Sequence, residues 1–178
     1  VHFDPPLVEG ALVRRYKRFL ADVRHDDGRV EVVHCPNSGS MRGLTEADRR
    51  VLVSLAPRPE SRKLPRTLEA IRIGRTWVCT NTHRANEVAG AALRARRILE
   101  LTKYRDVRAE VTVSAKSRID FLLSGHPVDP ACYVEVKSVT QRIGHGALFP
   151  DAVTERGRRH LEELVTLAGG GKRAALLF

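Results

Sequence analysis

Apolar positions in the first half of the chain come in short runs separated by turn-forming residues. Runs of this kind, rich in Val, Leu and aromatic residues, are typical of β-strands. They stand at residues 19–23, 30–33, 51–55 and 76–79. The turn sequence Asp26-Asp27-Gly28 between the first two indicates a hairpin. About five or six strands in this part of the chain predict a small barrel or sandwich.

After Asn81 the apolar spacing changes. Residues Asn86 to Thr102 carry apolar positions at helical spacing, which predicts a first helix. Three strands are predicted at 108–113, 117–123 and 132–139. A second helix is predicted over about 152–168, with Asp151 as its N-cap, followed by a strand at 172–178. The order α-β-β-β-α-β indicates a separate α/β domain, so we predict domains at 1–81 and 82–178.

The charge favours a polyanionic partner. The chain has 31 Lys and Arg against 21 Asp and Glu, a net charge of +10 and a pI near 10.2. A basic excess of this size is typical of nucleic-acid-binding proteins. Both halves of the chain share it. An arginine-rich genome would explain the same balance, since only six of the basic residues are lysine.

Cysteine usage and hydropathy indicate a soluble, cytoplasmic protein without a membrane partner. Cys35, Cys79 and Cys132 stand far apart, so they predict neither a zinc site nor a disulfide framework. No apolar run approaches the ~18 residues that a membrane span needs, and no signal segment opens the chain.

Two acidic residues and a lysine lie within predicted apolar strands. Side chains alternate along a strand, so Glu135 and Lys137 share one face about 7 Å apart. With Asp120 on the neighbouring strand, Glu135 can supply oxygen ligands to Mg²⁺ or Mn²⁺. Lys137 beside such a metal can activate a water for attack on a phosphodiester. The other interpretation is an ion pair between neighbouring strands.

The spacing D-x14-E-x-K, together with the order of elements, resembles the PD-(D/E)XK nuclease superfamily. Many of its enzymes add a glutamate from the preceding helix, and Glu87 fits a helical wheel better than Glu100 does. A first-turn acid favoured by the helix dipole is the alternative for Glu87. In the second helix, Arg156 and His160 flank the apolar stripe. Arg156 can contact phosphate, whereas His160 is better interpreted as a packed, hydrogen-bonded residue.

Basic residues of the first domain form a candidate nucleic-acid surface. Cations can follow a phosphate backbone while aromatic rings stack on unpaired bases. The alternative is a solvated strand edge whose aromatic residues point into the core, and this alternative is preferred for Phe19. The loop from Asn37 to Met41, with Asn37 and Ser38, can cradle a phosphate or form an Asx turn. The cations of this surface are Arg14, Arg15, Lys17, Arg18, Arg62 and Lys63.

These segments resemble the sugar fermentation stimulation protein A family. The resemblance implies an N-terminal OB-fold, a C-terminal nuclease-like domain, and DNA binding without sequence specificity. The family has aromatic residues where this chain has Pro65-Arg66-Thr67-Leu68, and it continues past the position of Phe178, so we expect the second domain to be incomplete here. The matching segments are 15–23, 34–41, 62–64, 117–122, 133–137 and 149–157.

Three functions follow from these observations. The first is a DNA-binding protein that hydrolyses phosphodiester bonds with Asp120, Glu135 and Lys137. The second is a non-catalytic DNA-binding regulator of sugar-utilisation genes that retains the nuclease fold. The third is a nucleotide or phosphate sensor that uses the Asn37–Met41 loop. The oligomeric state stays open, with a homodimer as one option.

Overall fold

The computed structural model describes residues 2–115, 117–149 and 154–178, and of Arg156 only the backbone. The chain forms two compact units. The first contains Val1–Arg84 and Val139–Ala152, and the second contains Ala85–Ser138 and Val153–Phe178. No helix in the described part of the chain is long and apolar enough to cross a membrane.

The first unit is built on a closed barrel, which confirms the predicted barrel and its OB-like character. Its sheet has the order β3-β2-β1-β4-β5-β6. A parallel contact of His34 with Thr67 joins β3 to β5 and closes the barrel. The strands are β1 (Val8–Tyr16), β2 (Leu20–Arg24), β3 (Val30–His34), β4 (Arg50–Leu55), β5 (Arg66–Ile73) and β6 (Thr76–Cys79).

Alternating side chains of these strands fill the barrel. Each large side chain that leaves water contributes about 1.5–3 kcal/mol. Close packing also explains Gly10 in β1, because a Cβ there would lie 2.6 Å from Cγ1 of Val23. The fully buried members are Leu12, Val23, Val33, Val51, Val53, Leu68 and Ile71.

A buried acid on β5 accepts hydrogen bonds from several side chains at the end of the barrel. The Glu69 carboxylate accepts hydrogen bonds from Ser54 Oγ (2.6 Å), Asn81 Nδ2 (3.0 Å), and Nε and Nη2 of Arg84 (both 3.0 Å). Burial by itself raises the pKa of the Glu69 carboxyl, but the bonds from Arg84, Ser54 and Asn81 outweigh it and hold the pKa below its ordinary value. The Oδ1 atom of Asn81 accepts the backbone N–H of His83, which fixes the start of helix α1 (Thr82–Arg94).

The second unit has the predicted order α-β-β-β-α-β. Its sheet has the order β12-β9-β8-β7, with β12 parallel to β9 and the other pairs antiparallel. A short 3-10 turn at Leu99–Leu101 follows α1. The remaining elements are β7 (Asp106–Ser114), β8 (Ser117–Ser124), β9 (Cys132–Val136), α2 (Glu155–Gly169) and β12 (Arg173–Leu177).

A two-stranded hairpin stands where the sequence predicts the end of a strand and a loop. Strand β9 ends at Val136 rather than at residue 139. The antiparallel strands β10 (Gln141–Ile143) and β11 (Gly146–Leu148) follow and belong to the first unit. Their glycine-rich, mixed composition carries no clear alternation, which explains why the pattern does not predict them.

Helix α1 differs from its prediction in limits and in the face it buries. It begins four positions earlier than predicted and ends at Arg94. Two residues later, Arg96 has a left-handed backbone conformation (φ 54°). The N–H of Arg97 then bonds back to the carbonyl of Ala92, which is a Schellman ending. The buried face contains Ala89, Gly90 and Leu93, whereas Val88, one of the apolar positions of the predicted helix, is 56% exposed.

The second helix begins at a threonine. Thr154 is the N-cap of α2, and its Oγ1 accepts the backbone N–H of Gly157 at 3.0 Å. Asp151, the predicted N-cap, lies outside the described residues. On the sheet, α1 packs against Phe121 and Val134 through Ala89 and Leu93. Because side chains alternate along β9, helix α2, which contacts Glu135, covers the opposite face.

Glu69→Gln tests whether the buried carboxylate stabilises the barrel. We expect the free energy of unfolding of the full chain at pH 7 to fall by about 2–4 kcal/mol, because the Arg84 guanidinium loses its buried counter-charge. Urea unfolding followed by circular dichroism measures this. The control Glu60→Gln changes an exposed acid of the same unit and should leave the value nearly unchanged.

The difference in free energy of unfolding between wild type and Glu69→Gln depends on pH. The pKa of Glu69 is depressed on folding, so its contribution is present above the ordinary glutamate pKa and disappears as the pH falls through the folded-state value. The difference in free energy of unfolding between wild type and Glu69→Gln should therefore become smaller in acid. A difference that is absent at pH 7 would contradict a stabilising role for this carboxylate.

Candidate functional site

Asp120 lies on β8 beside Glu135 of β9. The two strands are antiparallel with Phe121 opposite Val134, which brings the two acidic positions next to each other. The Oδ2 atom of Asp120 accepts the backbone N–H of Val136 at 2.8 Å. Its Oδ1 atom accepts Nδ2 of Asn86 at 2.7 Å. A strand and a helix therefore both hold this carboxylate in place.

The environment of Asp120 disfavours its charged form. Burial is the largest effect and raises the pKa of this carboxyl, and the nearby charge of Glu135 raises it further. The hydrogen bonds from Val136 and Asn86 and the charge of Lys137 act in the opposite direction but do not outweigh burial. A cation bound at this place would offset the cost of the ionised carboxylate.

Glu135 is 2% exposed, and its two oxygens have unequal surroundings. Oε1 accepts a bond from Nζ of Lys137 at 2.6 Å and a short one from Nδ1 of His160. Oε2 is buried and has no hydrogen-bond partner among the described residues. A buried carboxylate oxygen without a donor costs about 1–3 kcal/mol, a cost that a water molecule or a cation could offset.

The donor set of the site fits a divalent cation of the Mg²⁺ type. Asp120 and Glu135 offer hard oxygen atoms, and each oxygen of Asp120 keeps a lone pair beyond its single hydrogen bond. Within residues 2–115, 117–149 and 154–178 no group of three or more His, Cys, Asp or Glu side chains could hold a metal. Two carboxylates suffice for Mg²⁺, which keeps several waters and accepts phosphate oxygens.

Helix α1 contributes a residue to this site that the sequence does not single out. Asn86 bonds Asp120, whereas Glu87 is exposed on the neighbouring side of the helix. The catalytic role of Glu87 stays a prediction. Asn86 stands one turn before the buried Ala89 and Gly90, a signal that becomes visible only once the helix register is known.

Helix α2 brings His160 to the site. His160 is buried and bonds Glu135, which agrees with its interpretation as a packed, hydrogen-bonded residue. The predicted phosphate contact of Arg156 concerns a side chain outside the described residues.

Several basic residues of the candidate nucleic-acid surface of the barrel have partners within the protein. Nε of Arg14 bonds Asp22 at 2.7 Å, and its guanidinium lies over the ring of Tyr16. Nη2 of Arg15 bonds the carbonyls of Asn37 (2.7 Å) and Gly39 (3.0 Å). These two guanidinium groups therefore stabilise the barrel and its 37–39 loop, in addition to any contact with a ligand.

The same loop has a third anchor. Nη2 of Arg18 bonds the carbonyl of Ser38 at 3.0 Å. The side chain of Asn37 accepts the backbone N–H of Gly39, which is the Asx turn considered above for this sequence. The loop is thus ordered by arginine bonds to its carbonyls, and sequence spacing does not reveal such contacts.

Two connections of the barrel carry exposed basic residues and meet at the end of β3. The β1–β2 turn contains Lys17 and Phe19, and the carbonyl of Phe19 accepts the backbone N–H of Cys35 at 2.8 Å. The β4–β5 connection contains the exposed Arg62 and Lys63. Burial lowers the pKa of His34 at the end of β3, and the nearby charge of Arg62 lowers it further.

Comparison with known proteins identifies the family. A model of the SfsA N-terminal OB domain matches residues 13–80, and a model of the sugar fermentation stimulation protein RE domain matches residues 83–178. The chain belongs to the sugar fermentation stimulation protein (SfsA) family. This confirms the resemblance found in the sequence and the OB character of the barrel.

Curated relatives of the SfsA family match nearly the whole chain. The sugar fermentation stimulation protein homolog of Halorhodospira halophila is 52% identical over 182 residues, covering 100% of this chain and 75% of the relative. The homolog of Gloeobacter violaceus is 48% identical over 175 residues, covering 98% and 73%. A solved structure of Pyrococcus furiosus SfsA in complex with Ca²⁺ superimposes with a TM-score of 0.85 at 27% identity, covering 96% of this chain and 71% of that one.

Asp120→Asn tests the electrostatic cost of the site. We expect the variant to raise the Tm of the full chain by a few degrees at pH 7 in EDTA, because it removes a buried charge with a raised pKa. Asn86 can turn its amide so that both hydrogen bonds persist. Differential scanning fluorimetry measures the change, with Asp106→Asn as a control at an exposed aspartate of β7.

The Tm gain of Asp120→Asn should change with pH in one direction only. The cost of the ionised Asp120 is fully present above its raised folded-state pKa and vanishes below the ordinary aspartate value. The Tm gain should therefore shrink as the pH falls through that window. A variant that is less stable than wild type at pH 7 in EDTA would show that the carboxylate is not strained by its surroundings.

Proposed function

We propose that this SfsA-family chain binds DNA without reading its sequence and hydrolyses phosphodiester bonds with Mg²⁺ or Mn²⁺. The observation that carries the proposal is Oε2 of Glu135, which is buried and has no hydrogen-bond partner among the described residues, next to Asp120 and in the same cluster as Lys137. Proteins leave a buried carboxylate oxygen without a donor at a cost in stability, and such costs concentrate at functional sites.

Asp120 and Glu135 would hold the cation. When bound, a divalent cation supplies Lewis-acid polarisation of a phosphate oxygen and lowers the pKa of a coordinated water. The structure of the Pyrococcus furiosus relative contains Ca²⁺, which supports a divalent cation as the family ligand. The two carboxylates of this chain match that requirement, and their fixed hydrogen bonds from Val136 and Asn86 keep one of them in place without a ligand.

Lys137 would position the attacking water. Its ammonium group has three N–H donors, and Glu135 Oε1 accepts one of them at 2.6 Å. The others can hold a water molecule or a phosphate oxygen. The side chain is only 14% exposed, so its charge acts in a poorly screened environment where an ammonium group stabilises developing negative charge effectively.

The barrel would supply the DNA surface. In OB-folds the β1–β2 and β4–β5 loops are the usual oligonucleotide contacts. Here these loops carry Lys17, Arg62 and Lys63, and Phe19 is 46% exposed, which suits stacking on an unpaired base. Contacts of this type address the phosphate backbone and base faces, so affinity should depend on salt and little on sequence.

A second candidate function is a DNA-binding regulator that keeps the nuclease fold without catalysis. The bonds of Lys137 and His160 to one oxygen of Glu135 favour it, since the protein itself supplies donors to this carboxylate. The relatives' name, which refers to sugar fermentation, describes a phenotype that either function could produce.

A cleavage assay with the full chain separates the two candidates. We expect nicking of plasmid or single-stranded DNA in Mg²⁺ or Mn²⁺, none in EDTA, and a rate at least about 100-fold lower for Lys137→Ala. Lys172→Ala removes an exposed lysine of the same unit and should cleave like the wild type. Equal rates for wild type and Lys137→Ala, or DNA binding without cleavage, would remove the catalytic role and leave the regulator.

The barrel surface is tested by the double substitution Arg62→Ala and Lys63→Ala. We expect weaker binding by similar factors on unrelated sequences, and a slope of log affinity against log salt that is smaller by about 1–2, because up to two phosphate contacts are lost. Fluorescence anisotropy at several salt concentrations measures both. Arg75→Ala removes an exposed cation from the β5–β6 turn and serves as control. An unchanged slope in the double variant would place the DNA surface elsewhere.

A further inference from the structure

We propose that His160 is a positioning residue, which orients the Glu135 carboxylate so that Oε2 is presented to the divalent cation. The inference rests on the proposed function and adds a residue of helix α2 to it. Its basis is the arrangement of hydrogen-bond donors around Glu135, together with the packing that holds the imidazole in place.

The contact between the two side chains defines the histidine tautomer. Nδ1 of His160 approaches Oε1 of Glu135 within hydrogen-bonding distance. An ionised carboxylate only accepts hydrogen bonds, so Nδ1 carries the proton and donates it. Both groups are buried, which limits competition from water for this bond.

The imidazole is held by its helix as well as by Glu135. Leu164, one turn further along α2, is buried against the same unit. Oγ of Ser114, at the end of β7, donates to Oε1 of Glu163 at 2.7 Å. These contacts fix the inner face of α2, so the ring is a rigid donor whose place does not depend on the glutamate it contacts.

Two donors on one oxygen determine which oxygen remains for the cation. Lys137 Nζ and His160 Nδ1 both bond Oε1, and Oε2 is left buried with no hydrogen-bond partner in the part of the chain that the structure describes. Lys137 has a long, flexible side chain, lies two residues after Glu135, and can follow the carboxylate if it rotates. The imidazole cannot follow it, so His160 decides the orientation of Glu135. Partners of metal-binding carboxylates act in this way in other sites.

Calcium titration of the full chain by isothermal calorimetry tests this role without any cleavage step. Asparagine places its Nδ2 close to the position of the imidazole Nδ1, so His160→Asn keeps the donor. His160→Phe and His160→Leu remove the donor and keep apolar bulk. We expect Ca²⁺ affinity about 10- to 100-fold lower for Phe and Leu, and within a few-fold of wild type for Asn. Glu162→Gln, on the exposed side of α2, should bind like the wild type.

The outcomes distinguish this role from simple packing and from failure of the metal site itself. Circular dichroism and Tm in EDTA establish that each variant is folded, and a packing residue would change Tm without changing Ca²⁺ affinity. Equal Ca²⁺ affinity in all variants, or equal loss in the Asn, Phe and Leu variants, would overturn the positioning role while the metal site stands. Absence of Ca²⁺ binding by the wild type would overturn the metal site and this role together.

Discussion

The second unit depends on keeping two carboxylates side by side in a buried place. Like charges at short range destabilise a fold unless donors and cations surround them. The hydrogen-bond donors come from separate elements. Helix α1 contributes Asn86 and helix α2 contributes His160. Strand β9 contributes the backbone N–H of Val136, and Lys137 follows directly after that strand. The two helices and the strands therefore have to be in place together for the carboxylates to be accommodated. The arrangement still leaves Oε2 of Glu135 without a donor among the described residues.

Glu69 and Asp120 show how strongly the surroundings of a buried acid change its pKa. Glu69 in the barrel accepts four hydrogen bonds, two of them from the Arg84 guanidinium, and its pKa is lowered despite burial. Asp120 accepts two bonds, has Glu135 beside it, and its pKa is raised by burial. The first carboxylate is satisfied by the protein alone. The charged form of the second is disfavoured by its surroundings, and in the proposed function a bound cation would offset that cost.

Short apolar runs and helical spacing correctly predicted the barrel and the α-β-β-β-α-β order. Nζ of Lys137 bonds Oε1 of Glu135, although Lys137 lies just beyond the end of β9. Asn86 and His160 were harder to assign because their contacts depend on helix register. The start of α1 is set by the long-range bond of Asn81 to Glu69, and its end by the left-handed residue Arg96. The bonds of Arg15 and Arg18 to the carbonyls of the 37–39 loop form only when the barrel closes. Spacing along the chain contains neither kind of information.

Anomalous diffraction from crystals of the full chain soaked in Mn²⁺ tests most directly whether Asp120 and Oε2 of Glu135 share one divalent cation, because the peak marks the metal independently of any activity. We expect one strong peak within about 2.5 Å of Oε2 of Glu135 and of an oxygen of Asp120. A map without a peak there, or with peaks only at other carboxylates, would contradict a shared cation.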